Sequence, residues 1–500
     1  MDAVSDLLFG FSVALQPQNL IFCFFGAAIG TLIGVLPGIG PGGALALLLP
    51  TTFQLPPATA IIMLAGIYYG AMYGGSTTSI LVNIPGEAAS VVTCLDGYQM
   101  ALRGRAGAAL GLAAIGSFVA GTAAVVGLML IAPPLSRIAL AFTSPEYVAL
   151  ILLGLTLLAY IGGGSMLKAL MMGSLGLLLG TVGADPVDSI PRFTFGNVYL
   201  MDGLGLIPVV MGLFGISEVL FNLEQPEIRS IVKGRIGKLL PTLRDWAEAK
   251  WAIVRGTLIG FFVGILPGGN AIVASIISYA TERKLARHPE RFGTGAIEGV
   301  AGPESANNSA SVGAFVPLLT LGIPTNAVMA LLLASLMIHG VVPGPLLITQ
   351  HPDIFWGAIA SMYVGNAMLL VLNLPLVGIW VQVLRVPYTH LFPLILLFCL
   401  IGSYALSNTV FDIVVMISCG ALGYVMRKLD YEPAPLVLAF VLGPMFEDNL
   451  RRALIVSGGS FSVFLTRPIA AGFLLVAVAL LASSALSKVR ARVGWLGSAT

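Results

Sequence analysis

The chain has 500 residues, of which 57% are hydrophobic and 10% charged, with a formal net charge of +2. Soluble proteins carry roughly 25% charged residues, so this composition excludes an ordinary water-soluble domain and reads as an integral membrane protein. The small net charge identifies no partner, because in membrane proteins the placement of charges matters more than their sum; no nucleic-acid partner is expected.

Repeated apolar runs near the ~20 residues that cross a hydrocarbon core favour an all-α protein, since barrel strands would alternate polar and apolar residues. The 60 glycines and 30 prolines suit close helix packing and interrupted helices. Cys23, Cys94, Cys399 and Cys419 show no metal-ligand spacing and read as free thiols. Asp2 and Asp6 open the chain without a basic region or a small-residue cleavage pattern, which argues against a removable signal peptide.

In chain order, the first landmark is Gly34-Val35-Leu36-Pro37-Gly38-Ile39-Gly40. It returns as Gly264-Ile265-Leu266-Pro267-Gly268-Gly269-Asn270, and each copy follows a Gly-Thr-Leu-Ile-Gly run, at 30–34 and 256–260. Pro and Gly at the end of a membrane-length apolar stretch must break the helix. Broken backbone at membrane depth survives only when buried in protein or lining a wet cavity. Matching breaks in two halves point to a transporter's binding site.

No Lys or Arg precedes Arg103, which predicts an outward N-terminus and a cytoplasmic loop at Arg103 and Arg105. The first break then belongs to a re-entrant hairpin over 20–50 that enters from outside. Five crossings follow, near 57–84, 107–134, 147–163, 168–184 and 204–223, completing a first membrane repeat over 1–224. Residues 225–250, rich in Arg and Lys, read as a cytoplasmic connector. The second repeat, 251–453, opens with a hairpin over 251–282, because the basic cluster from Arg283 follows the Pro267 break too soon for a full crossing. Crossings near 306–338, 354–384, 388–405, 409–426 and 436–453 follow, and 454–500 hold one more near 471–487 and a tail. The expected fold is therefore about 11 transmembrane helices and two hairpins in two inverted repeats. Arg451, Arg452 and Arg467 resist the scheme, because they fall on the outer side.

A polar, small-residue run follows each hairpin: Tyr73-Gly74-Gly75-Ser76-Thr77-Thr78-Ser79 with Asn83-Ile84-Pro85-Gly86, and Glu304-Ser305-Ala306-Asn307-Asn308-Ser309 with Gly322-Ile323-Pro324-Thr325-Asn326. Buried polar groups need partners, and a substrate with its coupling ions can supply them. Helix-start N–H groups, hydroxyls and amides bind anions, whereas Asn oxygens and loosened carbonyls suit hard cations. The first half thus offers Pro37, Gly38, Gly75, Ser76, Thr77, Thr78 and Asn83 as substrate contacts. The second offers Pro267, Gly268, Asn307, Asn308 and Ser309. Asn270, Glu304, Thr325 and Asn326 are the expected cation contacts, with Glu304 the membrane-depth acid to test as a proton or ion site. The competing reading is that Gly, Ser and Thr merely allow tight helix contact; two matched runs, each beside a Pro-Gly break, favour function.

His288, His339, His351 and His390 share no metal spacing, and the 185–192 loop reads equally as a plain turn or as one in which Arg192 pairs with an Asp. No P-loop, Gly-x-Ser-x-Gly elbow or His-Glu-x-x-His occurs, so neither nucleotide-driven pumping nor an enzyme is expected. A channel, or an exporter, remains the second reading.

With these motifs the chain closely resembles the large membrane subunit of the tripartite tricarboxylate transporters, the TctA family. Besides the runs above, the resemblance rests on Leu95-Asp96-Gly97-Tyr98, Pro191-Arg192-Phe193-Thr194-Phe195-Gly196, Gly423-Tyr424-Val425-Met426-Arg427-Lys428 and Leu442-Gly443-Pro444-Met445-Phe446-Glu447. It implies a bacterial inner-membrane secondary transporter without an organic cofactor, moving a di- or tricarboxylate or related organic acid with a cation, sodium or proton. It also implies two partners, a small membrane subunit and a periplasmic solute-binding protein. An elevator-like motion of the hairpins and polar runs is the expected mechanism. Glu87 departs from the pattern, standing where small or variable residues are associated with the family; an acid there would disfavour a highly charged anion.

Overall fold

Lipid offers no partner to a peptide group, and the chain answers by closing its backbone hydrogen bonds within helices. The computed structural model describes residues 3–36, 40–161, 165–185, 188–224, 237–384 and 388–497. Among these, the one sheet is a two-stranded antiparallel pair, β1 (Gly183–Ala184) with β2 (Pro191–Arg192).

The first half runs α1 (Ala3–Ala14), α2 (Pro17–Val35), α3 (Gly40–Leu48), α4 (Pro57–Val82), α5 (Val91–Leu102), α6 (Ala106–Ala139), α7 (Ser144–Ile161) and α8 (Met166–Gly180). It ends in one long helix, Leu206–Glu224, whose middle, Met211–Ile216, is wound as a π-helix between α9 (Leu206–Val210) and α10 (Ser217–Glu224). The second half runs α11 (Leu243–Ile265), α12 (Ala271–Leu285), α13 (Glu298–Gly313), α14 (Phe315–Leu321), α15 (Ala327–Ile338), α16 (Leu347–Gln350), α17 (Pro352–Asn373), α18 (Val377–Val383), α19 (Tyr388–Ser407) and α20 (Val410–Lys428). It closes with α21 (Pro433–Val456), α22 (Val463–Thr466) and α23 (Pro468–Gly497). Seven helices among the described residues are long and apolar enough to cross a membrane.

Several boundaries differ from the sequence expectation, each for a local reason. The crossing expected over 306–338 is broken: Gly322 ends α14 at φ +69°, Pro324 has no N–H, and Asn326 caps a new helix. The crossing over 354–384 divides at Pro375 into α17 and α18. The second hairpin limb starts earlier than Trp251, because Thr242 and Asp245 form a capping box that carries helix into the expected connector. Helix α2, expected as a re-entrant limb, has the length and composition of a crossing. The 225–236 part of the connector lies outside the described residues.

What fastens α2 to α4 is a row of glycines. A Cβ placed on Gly26, Gly30 or Gly34 would come within 2.3, 2.5 and 2.2 Å of the carbonyl oxygens of Met63, Ile67 and Ala71. Residues four apart lie on one face of a helix, so the row is a continuous side-chain-free track along which two backbones meet. The device recurs between α11 and α13: Gly256, Gly260 and Gly264 would meet the oxygens of Gly302, Ala306 and Ala310 at 2.3, 2.2 and 2.3 Å.

Charged groups serve as fasteners elsewhere. Asp96 Oδ1 accepts the N–H groups of Gly293, Gly295 and Ala296 at 2.7–2.9 Å, and its Oδ2 accepts the Tyr279 hydroxyl, pinning α5 to α12 and to the approach to α13. The three arginines that defied the charge pattern all meet acids. Arg451 grips Asp185 at 2.6 and 3.0 Å and Glu447 at 2.9 Å; Arg452 pairs with Asp448, and Arg467 with Glu146. Arg192 reaches Glu447 at 2.6 Å and Asp185 at 3.4 Å, so the expected Arg–Asp pairing in that loop extends onto α21. All four cysteines are free.

Gly34→Ala is expected to cost about 1–3 kcal/mol, because its methyl group has no space against α4 and the helices must separate. Gly173→Ala, where nothing lies within 4 Å of the added carbon, is the control and should be neutral or more stable by up to ~1 kcal/mol. Thermal unfolding of the detergent-solubilised chain reads both.

Candidate functional site

Helix breaks leave unsatisfied N–H groups at the start of each new helix, and here four such starts face one cavity. The cavity measures about 440 Å³. Gly40 to Gly43 bring the start of α3, Gly86 to Ala89 the approach to α5, Asn270 to Ile272 the start of α12, and Asn326 to Val328 the start of α15. Tyr68 and Met72 of α4 form one wall, and the π-helical turn presents Phe214 from another side. Arg427 of α20, ion-paired with Glu218 of α10, stands at the margin and is the one basic side chain among the described lining residues.

Three of these starts carry their own cap. Asn270 Oδ1 accepts the Val273 N–H at 2.9 Å, Asn326 Oδ1 accepts the Met329 N–H at 3.0 Å, and Glu87 Oε2 accepts the Ala89 N–H at 2.6 Å. The remaining first-turn N–H groups carry the positive ends of the helix dipoles, so the cavity combines anion-seeking donors with apolar walls. The two breaks of the second half are also tied together, since the Gly268 N–H, at a φ of +79° that favours glycine, donates to the Thr325 carbonyl at 2.9 Å.

Below the cavity lies a buried polar layer built on α4, α5, α6 and α13. Glu304, 1% exposed, accepts hydrogen bonds from the hydroxyls of Ser76 and Thr93. Asn307 Nδ2 donates to Glu87 Oε1 at 3.1 Å, and Asn308 Nδ2 donates to Ser117 Oγ at 2.6 Å and to the Glu304 carbonyl at 3.1 Å. Ser305 Oγ, Asn307 Oδ1 and Asn308 Oδ1 are buried without a hydrogen-bond partner.

The residues expected from the sequence therefore divide. Asn270 and Asn326 line the cavity as caps. Ser76, Glu304, Asn307 and Asn308 belong to the layer beneath it, and Gly75 abuts Glu87, whose Cγ would lie 2.7 Å from an added Cβ. Thr325 is buried and holds the hairpin through its carbonyl. Thr78 donates to the Val35 carbonyl at 2.6 Å and Ser309 to the Thr257 carbonyl at 2.7 Å, both of which are contacts between helices. Thr77 faces a small gap shared with Tyr73 and Asn373, Pro267 packs near Gly154, and Asn83 is an exposed left-handed cap at φ 60°. These lie outside the cavity lining. Pro37 and Gly38 lie outside the described residues. Reading the sequence did not place Tyr68, Phe214 or Arg427 at the cavity. Arg427 appeared there only within the Gly423–Lys428 motif, and the available signal was the acid Glu218 within a largely apolar helix.

The family described as "Tripartite tricarboxylate transporter TctA family" matches residues 20–438. An Agrobacterium vitis protein, described as an uncharacterized 52.8 kDa protein in the TAR-I ttuC' 3' region, is 50% identical over 492 residues, 98% of each chain. A second Agrobacterium vitis protein, described as uncharacterized in the TAR-II ttuC' 3' region, is 50% identical over 233 residues, 47% of this chain and 96% of its own. No solved structure matches.

Asn326→Ala removes the cap of α15 and is expected to destabilise the chain by about 1 kcal/mol, whereas Asn326→Ser, which keeps a capping oxygen, should lose far less. Paired melting curves of the two variants against the unaltered protein are the measurement.

Proposed function

Because the chain belongs to the TctA family of tripartite tricarboxylate transporters, we propose that it is the membrane-embedded permease subunit that imports a di- or tricarboxylate, or a related organic acid, by symport with a cation. The observation that carries this reading is the convergence of four helix starts on one cavity, an arrangement suited to carboxylates without a buried lysine. A periplasmic binding protein delivers the acid, a small membrane subunit completes the assembly, and the whole sits in the inner membrane.

The two halves act as inverted copies of one unit. Supporting this, glycines 26, 30 and 34 stand 230 residues before 256, 260 and 264, while their contact residues 63, 67 and 71 stand 239 before 302, 306 and 310. Asn83 and Gly322, both left-handed caps, keep that second spacing. The hairpins and polar runs move with the acid as one body, as an elevator does. Glu304, with Ser76 and Thr93 on its oxygens, and Asn270, Thr325 and Asn326 serve the cation, and Asn307 and Asn308 serve the substrate.

Coupling follows from energetics. A trivalent anion entering against about −100 mV costs ~7 kcal/mol, at ~2.3 kcal/mol per charge. Co-moving at least as many positive charges removes that electrical term.

Two measurements test the reading. A melting-temperature screen of the cognate binding protein against a carboxylate panel is expected to identify the acid, since ligand binding raises the melting point. Proteoliposomes holding both membrane subunits should then accumulate it only with the binding protein and a cation gradient; uptake indifferent to loss of both sodium and proton gradients would refute coupling. Ser76→Ala and Asn307→Ala each remove one donor from a buried carboxylate, worth about 1.5–3 kcal/mol. Each should lower uptake roughly tenfold or more with the protein still folded.

A further inference from the structure

Two carboxylates, Glu87 and Glu304, are buried here, at 5% and 1% exposure. Among the described residues no Lys, Arg or His lies within ion-pair distance of either; the basic groups nearby are committed elsewhere, Arg255 to Glu282 at 2.6 Å and Arg427 to Glu218. An ionised carboxylate in an apolar interior is costly unless compensated, so two side by side need a positive charge supplied from outside the protein.

Their hydrogen bonds differ in kind. Both Glu87 oxygens are held by N–H donors, the Ala89 backbone, which cannot become an acceptor, and the Asn307 amide, which accepts only by turning its oxygen in. Glu304 is held by two hydroxyls, Ser76 and Thr93. A hydroxyl can turn, donating to a carboxylate or accepting from a carboxylic acid. Glu304 can therefore change state without its partners moving away, whereas a proton on the Glu87 oxygen that faces Asn307 would require that amide to turn.

Most other ionisable groups around α13 are already engaged, although the buried Tyr69 hydroxyl of α4 has no hydrogen-bond partner. On α5, Asp96 holds Tyr279 of α12 and three N–H groups, and the Cys94 thiol donates to the Ser90 carbonyl. On α4, the Tyr73 hydroxyl donates to Asn366, and Tyr68 lines the cavity. Arg255 of α11 pairs with Glu282 of α12. Helix α14 brings no ionisable group, α6 has only Arg137 in its last turn, and α13 itself adds only Glu298 in its first turn.

We propose that Glu304 carries the coupling proton, taking it from water on one face of the membrane and returning it to water on the other, with Glu87 as its buried neighbour. The proposal rests on the symport reading and assigns one of its coupling charges to a proton on one residue. No bond other than O–H is made or broken, and Ser76 and Thr93 follow the proton by rotating their hydroxyls.

Infrared difference spectra of the full-length chain in lipid nanodiscs, recorded as the pH is lowered, should show the C=O stretch of a protonated carboxyl group. The band should vanish in Glu304→Gln, persist in Glu87→Gln, and change midpoint in Ser76→Ala and Thr93→Val. The amide in Glu304→Gln matches the protonated acid in shape, so its melting temperature should equal that of the unaltered protein at the acid end of the titration. In proteoliposomes holding both membrane subunits, with the binding protein present and labelled citrate as probe, an acid-outside gradient should drive net uptake by the unaltered protein and not by Glu304→Gln. A band indifferent to Glu304→Gln overturns the proposal. So does pH-driven uptake by that variant, or a melting temperature that sodium raises only when Glu304 is present and no carboxyl band titrates. The infrared measurement needs no cargo, so a Glu304-dependent band without citrate uptake by the unaltered protein upholds the proton site and counts against citrate as the cargo.

Discussion

Everything in this molecule depends on bringing two helix backbones into direct contact. In lipid no hydrophobic gain draws helices together, so association rests on van der Waals fit and on close polar approach. The glycine rows of α2 and α11 provide that fit, placing their tracks against the carbonyls of α4 and α13. Without it, the helix that ends at Leu266 could not seat its broken end against the break after Gly322, where the Gly268 N–H finds the Thr325 carbonyl. Side chains at those glycines would hold the breaks apart and leave peptide groups exposed to lipid.

The polar residues then sort themselves by what the breaks leave undone. Asn270, Asn326 and Glu87 finish the starts of new helices. Ser76, Thr93, Asn307 and Asn308 surround the buried acids one layer deeper. Cavity and layer share Glu87, whose two oxygens face one neighbour in each, so a change at the cavity reaches the deeper acid through a single amide, Asn307. This makes one connected unit of residues drawn from both halves of the chain.

Much of this was legible in the sequence, and the rest was hidden for definite reasons. Pro and Gly at the ends of apolar runs announced the breaks, and the return of Leu-Pro-Gly after 230 residues announced that there were two. The division of 306–338 was misread because hydropathy averages over a five-residue interruption, although Gly322 and Pro324 were in plain view. Thr78 and Ser309 resembled ligands by composition, yet a hydroxyl on a crowded helix face is satisfied equally well by a neighbouring carbonyl. Only the three-dimensional path decides between those two uses. Phe214 and Arg427 were beyond reach, since the first depends on a π-helical turn and the second meets its partner Glu218 across 209 residues of chain.

The helix starts around the cavity also bear on how quickly it could let go. A cargo held by full opposite charges in a dry site would be gripped hard and shed slowly, whereas passage requires attraction strong enough to load and weak enough to unload. Peptide dipoles each present only a fraction of a charge, and Arg427 is already occupied by Glu218. Such a lining favours short residence over tight capture.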